Sequence, residues 1–285
     1  GISPKEATDA LIKRSWCKAA AARYADPAFR DGELALGVDP SDTPKGDPSV
    51  IVQWQGRCAT EVIEWHPQNA GEVADRVLLL ARDPHRPIAA RRIGVDGVGV
   101  GATVVNLCRR ANLRVRSVGG NLRAIPLLET PEIARGQHDE TNETPEAKAE
   151  RRSVVESERF DNERSQTYWL TRKDLEFGEI AMPYDEGLFQ ELCAHRYHTR
   201  NGKICVEAKD EVKALLRRSP NKSDGFVYGN FVRRRSLIPK PEPPAPPTRN
   251  RDTGLEKILT AHAKRAATEE KRIRRMFKSR HRGES

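Results

Sequence analysis

Ile93-Gly-Val-Asp96-Gly97-Val-Gly99-Val-Gly101-Ala102 is the stretch on which the reading of this 285-residue chain turns. Ile93–Asp96 is a short apolar run that ends on an acid and reads as a buried strand. Three alternating glycines then make a tight turn, and Ala102–Ala111 continues with helical spacing. Leu113–Val118 reads as the next strand. Upstream, Leu34–Asp39 is another strand that ends on an acid. The polar, Pro- and Gly-rich turn 40–48 leads to Ser49–Trp54 and Ala59–Trp65, two strands around Gly56-Arg57 with the signature of a hairpin. Asn69–Arg82 has its apolar positions at helical spacing. The order predicts an α/β layered fold: a mixed central sheet, three antiparallel strands first and crossover strands after, flanked by helices.

Downstream, Asn162–Phe177 reads as a helix with Trp169, Leu170 and Leu175 on its apolar side. Residues 196–206 form a hairpin around Asn201-Gly202, a favoured type I′ dipeptide. Asp210–Leu216 and Asp224–Val232 are helices, the second followed by Arg233–Arg235. Residues 129–158 are acidic, polar and without apolar periodicity, an inserted segment. The expected organisation is an N-terminal helix over 1–30, a body over 31–236 carrying that insert, a Pro-rich spacer over 237–248 and a basic helical tail over 249–285.

Charge is unevenly placed. The chain has 50 Lys+Arg against 41 Asp+Glu, a net +9. Residues 249–285 hold 12 basic and 5 acidic side chains and so carry +7 of it. With Leu255, Ile258, Leu259, Ile273, Met276 and Phe277 at helical spacing, this tail reads as a tethered basic amphipathic helix, the alternative being a solvated extension. No apolar run approaches the roughly 18 residues that a membrane span needs, so no membrane partner is expected. Cysteines 17, 58, 108, 193 and 205 are widely spaced with no C-x-x-C pair, which points away from a disulfide framework or a structural zinc site.

The glycine turn also matches the dinucleotide pattern G-x-G-x-x-A. Against that reading, Asp96 would face a pyrophosphate, and Arg116-Ser-Val118 stands where an acid should hold the ribose. An NADP-type site could use Arg116, whereas tight packing of helix on strand needs no ligand. The motif G-x-x-x-x-G-K-[ST] is absent. The acids at element ends form a different pattern. Asp39 and Asp96 close strands that would be neighbours, and Asp224 follows the turn Arg218-Ser-Pro220 at the start of the last helix. Three clustered carboxylates repel one another, and a hard divalent cation, Mg²⁺ or Mn²⁺, is their natural complement. Two such ions about 3.5–4 Å apart would serve phosphodiester hydrolysis.

Several segments in order, Ile93–Val105, Phe160-Asp-Asn162-Glu-Arg164 through Trp169 and Arg172, Leu175–Ile180 with Pro183, and Glu207-Ala-Lys209-Asp210 followed by Arg218-Ser-Pro220-Asn-Lys-Ser-Asp224-Gly, resemble the nuclease domain of tailed-phage large terminase subunits. The similarity spans about residues 34–232. It implies an RNase H-like fold and a two-metal endonuclease that cuts concatemeric viral DNA during packaging. On that resemblance Asp39, Asp96 and Asp224 are catalytic and metal-ligating, Asp47 is a further ligand with Asp42 its competitor, and Lys209 lies near the scissile phosphate. Asn221 and Gly225 depart from the family's S-P-D-x-A-D-A. DNA phosphates would be met by Lys209, Arg217, Arg218 and Arg233, Arg234, Arg235, with Arg91-Arg92 and Arg109-Arg110 as further candidates. The resemblance also implies an ATPase domain preceding residue 1, the small terminase subunit and the portal as partners, and the host bacterial cytoplasm as the setting. A non-cutting module that docks DNA or portal is the other function considered; the three retained acids favour the enzyme.

Overall fold

The computed structural model describes residues 10–120, 122–124 and 160–235. The expected insert, spacer and basic tail lie outside the described residues. The sheet contains β1 (Leu34–Asp39), β2 (Ser49–Gln55), β3 (Cys58–Trp65), β4 (Ile93–Asp96) and β5 (Arg116–Val118), in the order β3-β2-β1-β4-β5. β1–β2 and β2–β3 are antiparallel, while β1–β4 and β4–β5 are parallel. The mixed sheet and the β1–β4 neighbourhood are those the strand order implied.

Helices α1 (Arg14–Ala22), α2 (Ala70–Ala81), α3 (Val100–Arg110), α4 (Glu163–Glu176), α5 (Glu186–Ala194), α6 (Lys209–Leu216) and α7 (Asn221–Arg235) surround it. A small hairpin, β6 (Tyr197–Arg200) and β7 (Lys203–Val206), turns through Asn201 and Gly202 at φ 52° and 71°, the left-handed pair a type I′ turn requires.

The sheet's pleat sorts its two cores. Leu36, Val38, Ile51, Ile93 and Val95 pack with α2 and α3 through Val73, Val77, Val104, Val105 and Cys108. Ala35, Val50, Val52 and Trp54 point the other way, into a core with Phe226, Val227, Tyr228, Phe231 and Val232 of α7 and with α1, α4 and α5. On this second face Gly37 and Gly94 stand directly opposite each other in β1 and β4. A Cβ on Gly37 would sit 1.9 Å from the Gly225 carbonyl oxygen, and one on Gly94 would sit 3.0 Å from that of Tyr228. The two glycines therefore let the backbone of α7 lie directly on the sheet.

Three elements differ from the sequence expectation. The segment 178–195, to which the sequence pattern assigned no element, contains α5, capped by the Asp185 carboxylate accepting from Leu188 N–H. The last helix starts at Asn221 rather than Asp224, because Pro220 supplies the first carbonyl, to which Asp224 N–H donates at 3.0 Å. Asp224 thus lies within the first turn. Of the N-terminal 1–30 helix, the described part forms only α1 and the short turn Pro27–Phe29. Leu11, Ile12, Cys17 and Ala20 are fully buried in the α7-side core, so this part belongs to the body.

Candidate metal centre

Alternation along the strands aims the acids. Asp39 and Asp96 each lie one residue beyond the Val38–Val95 pair, on the same face as Gly37 and Gly94. That face carries α7, whose first turn presents Asp224. One carboxylate oxygen from each of Asp39, Asp96 and Asp224 lies within 4.8 Å of the others, and all three residues are buried. The structure brings together the three acids that the strand-end pattern singled out. Asp47 stays apart from them: it pairs with Lys213 at 2.6 Å on the β1–β2 loop.

Lys209, the first residue of α6, reaches into the cluster. Its Nζ is 2.9 Å from Asp39 Oδ2, 2.9 Å from Asp224 Oδ2 and 3.9 Å from Asp96 Oδ2. Asp96 Oδ1 accepts from Val98 N–H in the glycine turn at 3.0 Å, which ties that turn to the acid rather than to a pyrophosphate. On the inner side of Asp224, Tyr168 donates its phenolic O–H to Oδ1 at 2.6 Å, and Arg164 Nη2 stands 3.6 Å from the same atom. The Tyr168 oxygen is 2.9 Å from Ser223 Oγ, which is 3.1 Å from His195 Nε2.

Burial, with Lys209 opposing and Asp224 and Asp96 reinforcing, pushes the Asp39 carboxyl up to about 8. Asp96 moves in the same direction, again chiefly through burial. For Asp224 burial acts upward too, but Lys209 and Arg164 together hold its carboxyl down at about 2. Burial works against the Lys209 ammonium, yet the three acids keep its affinity for the proton above the ordinary value. Burial brings His195 down to about 3, so its imidazole is neutral at physiological pH.

The arrangement is an ionised carboxylate beside two acids that burial and mutual repulsion discourage from ionising. It is a donor set of hard oxygens that a divalent cation would complete. A specific atom supports this fit. Asp224 Oδ2 is buried and forms no hydrogen bond among the described residues; its contact with Lys209 is an ion pair only.

The arginines expected on a DNA surface divide. Arg217 is exposed at the end of α6, with a left-handed φ of 57°. Arg218 is half-exposed and hydrogen-bonds the buried Glu191. Arg233 and Arg234 correct the expectation, for both are buried and paired with Asp174, at 3.3 and 2.9 Å. Guanidiniums committed to a core acid are not available to phosphates. The side chain of Arg235 lies outside the description. Arg92 is also buried, hydrogen-bonded to Glu33 and to the Leu34 carbonyl, whereas Arg91, Arg109 and Arg110 are exposed.

Sequence reasoning missed Arg164, Tyr168, Ser223 and His195 as parts of the site. A signal existed: α4 buries Glu163, Arg164, Ser165, Gln166, Thr167, Thr171 and Asp174 together with its apolar residues. A helix with so many polar residues and no clean apolar stripe must serve a polar interior.

No protein-family model matches this sequence, and no curated protein matches it. Solved structures do. The nuclease domain of the large terminase subunit gp2 of bacterial virus Sf6 superimposes with a TM-score of 0.55 at 22% identity, covering 77% of this chain and 97% of that one. A lysine-to-alanine variant of the same Sf6 domain, solved with manganese and β-thujaplicinol, gives 0.54 at 22% identity over the same shares. A variant with calcium gives 0.54 at 21%, covering 77% and 98%. The chain thus shares the RNase H-like fold of the nuclease domain of a phage large terminase subunit.

Proposed function

We propose that this protein is a metal-dependent DNA endonuclease that cuts concatemeric viral DNA during genome packaging. The observation that carries the reading is the convergence of Asp39, Asp96 and Asp224, from two adjacent strand ends and the first turn of α7, into one buried carboxylate cluster. The fold shared with the Sf6 nuclease domain supports it, as do the manganese and calcium in that domain's structures.

The three aspartates would hold Mg²⁺ or Mn²⁺, as two ions. The cations would supply an activated water and charge neutralisation at the phosphodiester, as in other two-metal hydrolyses. The chain's own residues do the rest. Asp224 is kept ionised by Lys209 and Arg164 and is ready to ligate. Lys209, about one-third exposed, balances the acids and would be the cation placed to meet a phosphate held beside them. Exposed Arg217 would add sequence-independent contact with the duplex. Viral duplex DNA is the proposed substrate. The ATPase domain of a longer chain, the small terminase subunit and the portal are proposed partners, with the host bacterial cytoplasm as the place of action.

The test is incubation with supercoiled plasmid and Mn²⁺ or Mg²⁺, beside an EDTA control and Asp96→Asn. Nicking or linearisation that both controls abolish is the expected result. Plasmid that is retarded but uncut under every metal condition would overturn the enzymatic reading in favour of a docking module.

A further inference from the structure

Asp224 differs from the other two acids in how its two oxygens are treated. Oδ1 faces inward, where it accepts the fully buried Tyr168 hydroxyl at 2.6 Å and lies 3.6 Å from Arg164 Nη2. Oδ2 faces the cluster, 2.9 Å from the Lys209 ammonium in an ion pair, and forms no hydrogen bond among the described residues.

The inward side is itself anchored at several points. The Arg164 guanidinium lies over the Tyr168 ring, 4.6 Å from its centroid, and its Nη1 donates to the Glu207 carbonyl at 2.6 Å. Glu207 immediately precedes the turn that starts α6 and delivers Lys209. The Tyr168 oxygen is backed by Ser223 Oγ, and Ser223 Oγ donates to the Pro220 carbonyl at 2.9 Å. Arg164 Nε and Nη2 are buried without a hydrogen bond. The buried guanidinium engages Asp224, the Tyr168 ring and the α6 turn.

We infer that Tyr168 and Arg164 are positioning residues that fix Asp224 by Oδ1, so that Oδ2 alone is presented to a divalent cation. Partners of this kind, one shell behind a ligand, commonly change metal affinity about 10–100-fold when removed. Arg164 links the two arms of the site, since the same side chain touches the α7 acid and the backbone that carries Lys209. The inference rests on the reading of the three aspartates as a cation site.

The test is calorimetric titration of Mn²⁺ alone, without DNA, into the metal-stripped full chain. Tyr168→Phe and Arg164→Lys leave the formal charge of the site unchanged, so any loss of affinity reports geometry rather than Coulomb attraction. Each variant should bind Mn²⁺ about 10–100-fold more weakly than wild type while still unfolding cooperatively. Plasmid cleavage should recover at saturating Mn²⁺, a rescue that general structural damage would not allow. If Tyr168→Phe fails to fold, Arg164→Lys decides. Wild-type affinity in the folded variants overturns the inference and leaves the nuclease reading standing. Absence of Mn²⁺ uptake by wild type overturns both.

Discussion

Replacing Gly37 by alanine tests how the fold builds the site. The new Cβ would lie 1.9 Å from the Gly225 carbonyl oxygen and 2.3 Å from Gly229 N, both backbone atoms of α7, whereas real Cβ atoms keep at least 3.0 Å. No side chain can rotate away, so α7 must lift from β1. Overpacking a tight core typically costs about 1–3 kcal/mol, and a backbone-on-backbone clash belongs at the top of that range. With a urea m-value of about 2–3 kcal/mol/M, a loss of about 3 kcal/mol moves the midpoint down by about 1 M or more. Trp54 packs against Phe226 of α7, with ring centroids 4.8 Å apart, and so offers a fluorescence signal for the transition. The lift also carries Asp224 away from Asp39 and Asp96, and a misplacement near 1 Å can cost about 100-fold in rate. Gly225→Ala is the control on the same helix. Its Cβ would meet the Val50 and Val52 methyls at 3.3 and 3.4 Å and the Gly37 carbonyl oxygen at an ordinary 3.6 Å, and the helix propensity gained, up to about 1 kcal/mol, offsets that crowding. Gly225→Ala should therefore unfold close to wild type. A Gly37→Ala protein with the wild-type midpoint, or a Gly225→Ala protein as damaged as Gly37→Ala, would show that α7 does not depend on backbone contact with β1 at Gly37.

Glu191 predicts a pH signature. Burial raises its carboxyl from 4.5 to about 7, with Ser223 N–H and Arg218 only partly compensating. A raised folded-state value means that its contribution is fully present below about pH 4.5 and is lost as pH rises through 7. The wild type should therefore lose on the order of 3 kcal/mol relative to Glu191→Gln across that window, read from urea midpoints of both proteins at pH 4.5 and 7.5; a constant gap would contradict it. Arg233→Ala removes one of the two guanidiniums that share the buried Asp174, leaving the acid with Arg234 and Asn230. Losing one charged hydrogen-bond partner of a buried acid that keeps its others costs about 1.5–3 kcal/mol. Thermal unfolding should show that loss, while low-salt DNA affinity of the folded fraction stays at the wild-type level; weakened DNA binding at unchanged stability would restore Arg233 to the DNA surface.

What could be read from the sequence is what local pattern encodes. Asp39 and Asp96 were legible because each ends an apolar strand run, and the strand order made β1 and β4 neighbours. The hairpin at Asn201-Gly202 was legible because its turn needs two left-handed residues. The role of Arg233-Arg234 was not, because a basic run reads as surface until Asp174, some 60 residues away, is brought beneath it. Helix α5 does carry helical spacing at Leu188, Phe189 and Leu192 behind an Asp185 cap, so there the signal existed and went unread. The Tyr168–Asp224 contact joins residues 56 apart on two helices that both lack a clean apolar stripe, and periodicity says nothing about such a pair.

Asp39, Asp96 and Asp224 stand or fall together as a cation site. Anomalous diffraction from crystals grown with Mn²⁺ tests it most directly. The expected result is a manganese peak in contact with all three aspartates, with Asp224 bound through Oδ2 and Lys209 moved away from the position it shares with them. A cluster still closed by Lys209 with no peak at millimolar Mn²⁺, or manganese bound only elsewhere on the chain, would contradict it.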